Sequence, residues 1–339
     1  MKRILIFALA SLALLSCKEQ DRSTLLPNVS GKAGELIVMM EKPQWEGELG
    51  EKARAVFADD CPFLPVREPL YTLINVVPSA FNNLFRVHRN ILYFNISQKV
   101  EKEGVEYRKD VWASPQIVID INARTPEEAI AIIDANAAKL TGALEQAERE
   151  RVIRNARRYE QKDIAPKVAG VFGGSPHFPA GYVLRKISDD FAWVEYDRQG
   201  STQGILIYKY PATPGIEEFS LERIISQRDA FMKANVPGMF DGTYMTTASP
   251  QVFPPYVEYI KFQGREFAQT RGLWEVKGDF MGGPFVSESF YSRDGKEIIV
   301  TEAFLYYPNK DKRLFLRQIE SILYSWEWAE EDNEKNIEK

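Results

Sequence analysis

The stretch Arg271-Gly272-Leu273-Trp274-Glu275-Val276, followed by Asp279 and by Met281-Gly282-Gly283-Pro284-Phe285, gathers the side chains best suited to holding a ligand. Arg271 carries a planar fork of donors that fits a carboxylate or phosphate, and Trp274 a large stacking surface. Glu275 and Asp279 add two carboxylates, and the Gly282-Gly283 pair lets a ligand or a second backbone come close. Such a groove suits a sugar, a peptide or an acyl group, which makes Arg271, Trp274, Glu275 and Asp279 the candidate binding residues. Strand alternation argues the other way. It sends Arg271, Leu273 and Glu275 to one face and Gly272, Trp274 and Val276 to the other. Unless a bulge intervenes, Trp274 is then core, Arg271 and Glu275 pair across strands, and Gly282-Gly283-Pro284 is a bulge or turn.

Catalytic patterns are sparse. Glu275, Glu297 and Glu302 sit on strands expected to be neighbours and could mimic the two carboxylates of a glycan hydrolase. The two histidines, His88 and His177, lie in separate segments, without the paired spacing of a metal site and without a strand-turn-helix elbow for a nucleophile. Gly170-Val171-Phe172-Gly173-Gly174 lacks the lysine and the helix start of a phosphate loop. No catalytic residue, metal or cofactor is expected.

The N-terminus carries a sharper signal. Lys2 and Arg3 precede an apolar run from Ile4 to Leu15. That run has the length of a signal-peptide h-region and falls short of the roughly twenty residues that span a bilayer. Leu14-Leu15-Ser16-Cys17 resembles the lipobox of bacterial lipoproteins: an aliphatic residue three before a cysteine, and a small residue just before it. The thiol is needed for a thioether to diacylglycerol, and the small residue for the cut. Residues 1–16 are expected to be removed and Cys17 to carry acyl chains such as palmitate, two or three of which anchor stably where one binds only marginally. In the lipoproteins this pattern resembles, aspartate at the position of Lys18 favours inner-membrane retention, so the resemblance implies the outer membrane, facing the periplasm or the surface. With Cys17 acylated, Cys61 has no second thiol in the chain, so an internal disulfide is excluded.

Loss of Lys2 and Arg3 leaves 41 basic against 48 acidic residues in the mature chain, a balance that argues against nucleic acid as partner. At 45% apolar and 12% aromatic, the chain can build a real core. Residues 17–32, with Pro27 and Gly31, read as the lipidated N-terminus and a flexible tether. Strand-like runs follow near 35–40, 71–77, 90–97 and 116–121, with a helix over 47–59. Thr125-Pro126-Glu127-Glu128 is a capping box that opens a helix reaching about residue 162. In its second half Arg149, Arg151, Arg154, Arg157 and Arg158 alternate with glutamates, the pattern of a solvated, salt-bridged face. Gly and Pro crowd residues 165–180, which sets the domain boundary there. Beyond it come long strands, a hairpin turn at 292–295, a helix over 221–234 and another over 311–326. The reading is α+β, with an N-terminal domain at 33–165, a C-terminal domain at 166–328 and a charged tail at 329–339. Each domain is a mainly antiparallel sheet covered by helices, and the long helix ends the first.

Several phrases stand along the chain: Gly34-Glu35-Leu36-Ile37-Val38, Leu64-Pro65 with Glu68-Pro69, Arg89-Asn90-Ile91, Phe191-Ala192-Trp193, Val236-Pro237-Gly238, Thr243-Tyr244-Met245 and the Arg271–Phe285 stretch. Together they resemble an uncharacterised family of bacterial lipoproteins, the domain of unknown function 4837 family, across essentially the whole mature chain. The resemblance implies a lipid-anchored envelope protein and assigns no activity. The expected function is non-enzymatic binding of an envelope protein or an extracytoplasmic ligand, the alternative an envelope hydrolase of glycan or peptide. A hydrolase should show carboxylates converging in one cleft with raised pKa values, a binding module an apolar patch or groove.

Overall fold

The computed structural model describes residues 26–330, apart from 199 and 250–252. Cys17, the segment expected to be cleaved, and residues 331–339 lie outside the described residues. Two compact units emerge. One runs to Phe57 and resumes over Tyr71–Ala147; the other takes Ala58–Leu70 and the chain from Glu148 onward. The division thus falls inside the long helix, ahead of the expected 165/166, because the helix changes core along its length. Leu140 and Leu144 are buried before the division, whereas Ile153 belongs to the core of the second unit.

The first unit is built on β1 (Glu35–Met39), β2 (Thr72–Val76), β3 (Asn90–Ile96), β4 (Gly104–Lys109) and β5 (Ile117–Ala123), with the short helices α1 (Lys42–Glu46), α2 (Glu48–Phe57) and α3 (Asn83–Arg86) in the connections. The sheet order is β2-β1-β3-β5-β4. Antiparallel pairing prevails in the chain as a whole, but here three of the four pairings are parallel, and only β4 runs against its neighbour β5. The reason is visible in the strands. Leu36–Met39 and Ile117–Ile121 are buried without interruption, as strands must be when crossover connections cover both faces. Ile37, Ile91, Val118 and Val76 form the core on one face beneath Phe81, Phe85 and Trp112. Leu49, Ala53 and Phe57 of α2 are also buried, as are Ala129, Ile133, Leu140 and Leu144 of the long helix α4 (Pro126–Arg158). Edge strand β4 has no apolar run and was not anticipated.

Part of the segment expected to be a tether is structured. Ser30 N donates to Val87 O at 2.8 Å, Arg89 N to Ser30 O at 3.1 Å and Ser114 N to Pro27 O at 2.9 Å, so residues 27–31 dock on the first unit. Gly31 adopts φ +86°, and a Cβ there would lie 2.1 Å from His88 Nε2; only glycine fits. The His88 ring is buried, 3.1 Å from Asn90 O and 3.5 Å from Glu35 Oε2.

The second unit adds α5 (Ala165–Phe172), β6 (Gly174–Ser175), β7 (Val183–Ile187), β8 (Phe191–Arg198), β9 (Ser201–Pro211), α6 (Leu221–Asn235), β10 (Tyr244–Thr247), β11 (Tyr256–Phe262), β12 (Arg265–Lys277), β13 (Gly282–Tyr291), β14 (Glu297–Tyr306), α7 (Arg313–Leu323) and β15 (Glu327–Trp328). The Gly/Pro-rich segment expected to be a linker holds α5: Pro166 sits in its first turn, where no N–H is needed, and Gly173 ends it at φ +71°. The eight-stranded antiparallel sheet is ordered β10-β12-β13-β14-β9-β8-β7, with β11 also on β12. Its central strands are buried on both faces; β14 is buried from Ile298 to Leu305. One face carries Phe285, Phe304, Trp274, Tyr208 and Val300, with Met232 of α6 in the same core. The other packs Val286, Phe290, Ile299 and Ala303 with Leu316, Ile319 and Ile322 of α7 and with Phe172 of α5. No side chain of α7's own caps its N-terminus. Glu68 does so from the 58–70 loop, accepting from Lys312 N at 2.7 Å and Arg313 N at 2.9 Å. This is why that loop belongs to the second unit.

In the middle of the α6 face, Arg228 meets Glu302 in a bidentate pair, Nη2–Oε1 2.7 Å and Nε–Oε2 2.9 Å. Both side chains are wholly buried, and the guanidinium lies 3.9 Å from the Phe285 ring centroid. Burial pushes the Glu302 carboxyl up, and the Arg228 charge pulls it back.

Two outcomes follow. Arg228→Met leaves Glu302 uncompensated and lowers stability by about 3–5 kcal/mol, whereas the Arg228→Met, Glu302→Leu double variant recovers most of that; urea unfolding measures both, and equal losses in single and double variants would refute the pairing argument. For His88, burial holds the pKa below its ordinary 6.5 and outweighs the Asn90 and Glu35 contacts. Below about pH 6.5 the unfolded chain therefore binds more protons than the folded one, and stability declines on acidification until the folded pKa is passed. The urea midpoint between about pH 7 and pH 5 should fall less in His88→Gln than in the wild type; identical slopes would show that the imidazole carries no such penalty.

Candidate functional site

The four residues singled out in the sequence do not converge. Trp274 is buried on the α6 face, edge-on to Phe304 at 5.6 Å. Arg271 lies on the α7 face, where it donates to Gln269 Oε1 at 2.9 and 3.1 Å and to Glu320 Oε1 at 2.5 Å. Glu275 is exposed opposite Gly282. Asp279 accepts from Phe280 N at 2.6 Å and so shapes its own turn. Arg271 finds its carboxylate on α7 and not on the neighbouring strand. Gly282 and Gly283 lie within β13, and a Cβ on Gly283 would come 2.0 Å from Leu305 O and 3.1 Å from Trp274 Nε1. These glycines admit the indole and a neighbouring strand.

Nor do the carboxylates gather. Glu302 and Glu288 are both buried and both raised by desolvation. They occupy opposite faces, because Glu302 pairs with Ser287 and Glu288 with Thr301. Each faces an arginine, Arg228 for Glu302 and Arg265 for Glu288 at 2.8 Å. Glu297 lies 3.3 Å from Lys209. Among the described residues no three His, Cys, Asp or Glu side chains are grouped to hold a metal.

The α7 face leads to a different place. Gln269 Nε2 donates to Tyr324 Oη at 2.9 Å, and Arg149 stacks 3.6 Å from the Tyr324 ring centroid. Arg149 and the buried pair Arg151–Glu148, 3.2 Å apart, therefore serve packing in the half of α4 expected to be solvated. Burial pushes the Tyr324 phenol well above its usual range. Next to Tyr324 opens a cavity of about 510 Å³, lined by Arg157, Phe262, Arg265, Arg293, Trp326 and Trp328 among others.

Four elements bring this wall together. The β11–β12 turn has Gln263 at φ +49° and Gly264 at φ +82°, the left-handed pair of a tight hairpin. The β13–β14 turn presents Arg293 5.4 Å from the Trp328 ring centroid. The chain leaving α7 enters β15, whose pairing with β6 fixes Trp326 and Trp328 5.5 Å apart at an interplanar angle of 87°. The end of α4 supplies Arg157, paired with Glu327. Glu327 also faces His177 Nε2 at 3.1 Å, and His177 Nδ1 lies 2.7 Å from Glu160. Trp326 Nε1 and Arg265 Nη1 are buried without a hydrogen-bond partner among the described residues. The wall thus consists of aromatic surface and cationic donors, and its carboxylate, Glu327, is engaged. It suits a ligand that brings acceptors, negative charge and a ring with a flat C–H face. Sequence reasoning missed these residues; the spacing Trp326-x-Trp328 just past a helix end was the available hint.

Residues 161–325 match the family described as Domain of unknown function (DUF4837), and residues 29–157 match Domain of unknown function (DUF8532). The resemblance seen in the sequence therefore holds over the C-terminal segment. No curated protein matches the chain. Two solved structures are similar over part of it. One is a crystal structure from Bacteroides thetaiotaomicron VPI-5482, 9% identical, TM-score 0.27, covering 47% of this chain and 46% of that one. The other is LpqN of Mycobacterium tuberculosis, described as involved in cell envelope biogenesis, 12% identical, TM-score 0.26, covering 44% of this chain and 79% of that one. The chain thus spans less than half the length of the first.

If Gly283 serves packing, Gly283→Ala should lower stability by about 1–3 kcal/mol through overpacking, while Glu275→Ala and Asp279→Ala stay within about 0.5 kcal/mol of wild type. Thermal or urea unfolding of the three variants decides; a Gly283→Ala protein as stable as wild type would return the glycine pair to the list of ligand-binding features.

Proposed function

We propose that this chain, with its C-terminal DUF4837 domain, is an envelope lipoprotein held to the outer membrane through acylated Cys17, and that it binds an extracytoplasmic ligand without chemically changing it. The anchor rests on the N-terminal pattern of Lys2-Arg3, the apolar run and Leu14-Leu15-Ser16-Cys17. No helix among the described residues is long and apolar enough to cross a membrane. The binding reading rests on one observation: the cavity beside Tyr324 is walled by Arg157, Arg265, Arg293, Trp326 and Trp328, so that cationic forks and indole faces line one space. Its ligand is an acidic saccharide. Sugar rings present a C–H face to Trp326 or Trp328, and a sugar carboxylate meets the fork of an arginine.

Two measurements test this. Cys17→Ala should abolish acyl labelling and move the protein from the membrane to the soluble fraction; a label that persists refutes the anchor. The released protein, titrated with an oligogalacturonate and with a neutral glucan of equal length, should prefer the acidic chain at least about tenfold, or 1.4 kcal/mol. Trp328→Ala should weaken binding by a similar factor. Equal affinity for the neutral glucan, or indifference to Trp328→Ala, refutes the site, and cleavage of either chain would place the protein among the hydrolases.

A further inference from the structure

The parallel sheet of the first unit contains a reversal of winding. The chain leaves β1 through α1 and α2 and returns as β2 on one side; it leaves β2 through a short turn at Pro78–Ala80 and α3 and returns as β3 on the other side of β1. The connection that crosses β1, together with the segment after β4, lays Phe81, Phe85 and Trp112 over one face of the sheet. β1 ends at Met39, whose register partner on β3 is Tyr93. On this face, between the sheet and the segments laid over it, lies a cavity of about 450 Å³, lined by Met39, Phe81, Arg86, Tyr93, Arg108 and Trp112, with Pro78.

The sheet face changes character as it enters this cavity. Ile37, Ile91 and Val118 are core, but two residues further along come Met39, Tyr93 and Asp120. Asp120 is almost fully buried and is held by Arg108 through two bonds, Nε–Oδ2 2.5 Å and Nη2–Oδ1 2.7 Å. That pairing neutralises Arg108 and leaves its guanidinium propped 5.6 Å from the Trp112 ring centroid. Trp112 stands edge-on to Phe81 at 5.8 Å and 71°. Arg86 differs from Arg108. It is exposed at the cavity wall, and no carboxylate or other acceptor engages its guanidinium among the described residues. The cavity therefore has one uncompensated positive charge and three aromatic walls.

We propose that this cavity is a second binding site, for a small anion that carries a flat ring: a phosphorylated or carboxylated aromatic molecule no larger than a mononucleotide. Arg86 takes the anionic group, and Tyr93, Phe81 and Trp112 enclose the ring. Neither half suffices. A bare anion leaves the aromatic walls wet, and a neutral ring leaves Arg86 without its acceptor. The volume lies within the ordinary range of small-molecule pockets, about 300–1,000 Å³. The inference is independent of the saccharide site, which lies in the other unit.

The test uses the full-length protein in detergent, labelled with 5-fluorotryptophan, with the Trp112 fluorine resonance assigned through Trp112→Phe. Phenyl phosphate and benzoate separate the two anionic groups; inorganic phosphate and benzyl alcohol supply the anion and the ring alone. The expected result is a saturable shift of the Trp112 resonance with phenyl phosphate or benzoate, and responses at least about tenfold weaker with inorganic phosphate and benzyl alcohol. Arg86→Gln should weaken the aromatic anion about tenfold and leave the benzyl alcohol response and the melting temperature unchanged, and Arg86→Lys should fall between. The proposal is overturned if neither aromatic anion saturates, if inorganic phosphate alone binds as tightly, or if Arg86→Gln binds like wild type.

Discussion

The second unit depends on a constraint set by two glutamates. Its sheet is covered on both faces, and consecutive strands β13 and β14 each carry one carboxylate in the covered region, Glu288 toward α7 and Glu302 toward α6. A lone carboxylate there is prohibitive. Each face must therefore bring an arginine to a fixed spot. For Glu302 the arginine comes from a helix, so Arg228 fixes the axial position of α6 as no Leu or Ile contact would. For Glu288 it comes from Arg265 at the start of β12, which ties the position of the β11–β12 turn, and hence one wall of the arginine-tryptophan cavity, to the same requirement. Such pairs add little net stability over an apolar core of the same shape. Their effect is to exclude shifted arrangements, because a helix displaced by one turn strands a buried charge.

How much of this the sequence disclosed varies with the range of the interaction. The long helix α4 was legible from its capping box and apolar spacing, and the hairpin from Ser292-Arg293-Asp294-Gly295. The opposite facing of Arg271 and Trp274 followed from strand alternation alone. All of these are local signals. The parallel order of the first sheet was not read, although the uninterrupted apolar runs of β1 and β5 are its signature, because direction is set by connections whose course is not written in the strands themselves. Strand β4 was missed because Glu106, Arg108 and Lys109 interrupt its apolar residues. Helix α5 was missed because Pro166 and Gly170 suggest a linker until the proline is seen to occupy a first turn.

The candidate sites were least legible, and for a physical reason. The cavity beside Tyr324 draws on residues 157, 262, 265, 293, 326 and 328, and the cavity over β1 on residues 39, 81, 86, 93, 108 and 112. Apart from the Phe262–Arg265 turn and Trp326-x-Trp328 in the first cavity, and Phe81 with Arg86 and Arg108 with Trp112 in the second, these residues come from segments far apart in the chain. In both cases a tight turn or a crossover, rather than a contiguous phrase, sets the chemistry. The contiguous phrase that attracted attention, Arg271–Phe285, serves the fold: its glycines make room for Trp274 and Leu305, and its arginine anchors α7 through Glu320.

Both cavities offer arginines in a chain whose formal charge is −5, and that contrast bears on both binding proposals. At distances beyond the roughly 8 Å over which salt screens charge at physiological ionic strength, an anion meets a net negative protein and is not steered inward. Attraction begins only inside the pocket, where aromatic walls displace water and the arginine field is less screened. Recognition of this kind gains little in association rate and depends on what happens after contact. Under the two binding proposals the ligand would be retained when ring and charge are both accommodated, and the affinity would reside mainly in a slow departure. Arg108 and Arg157, already paired with Asp120 and Glu327, then act as fixed dipoles that shape the wall, while Arg86 in the first-unit cavity is exposed at the wall with its charge uncompensated.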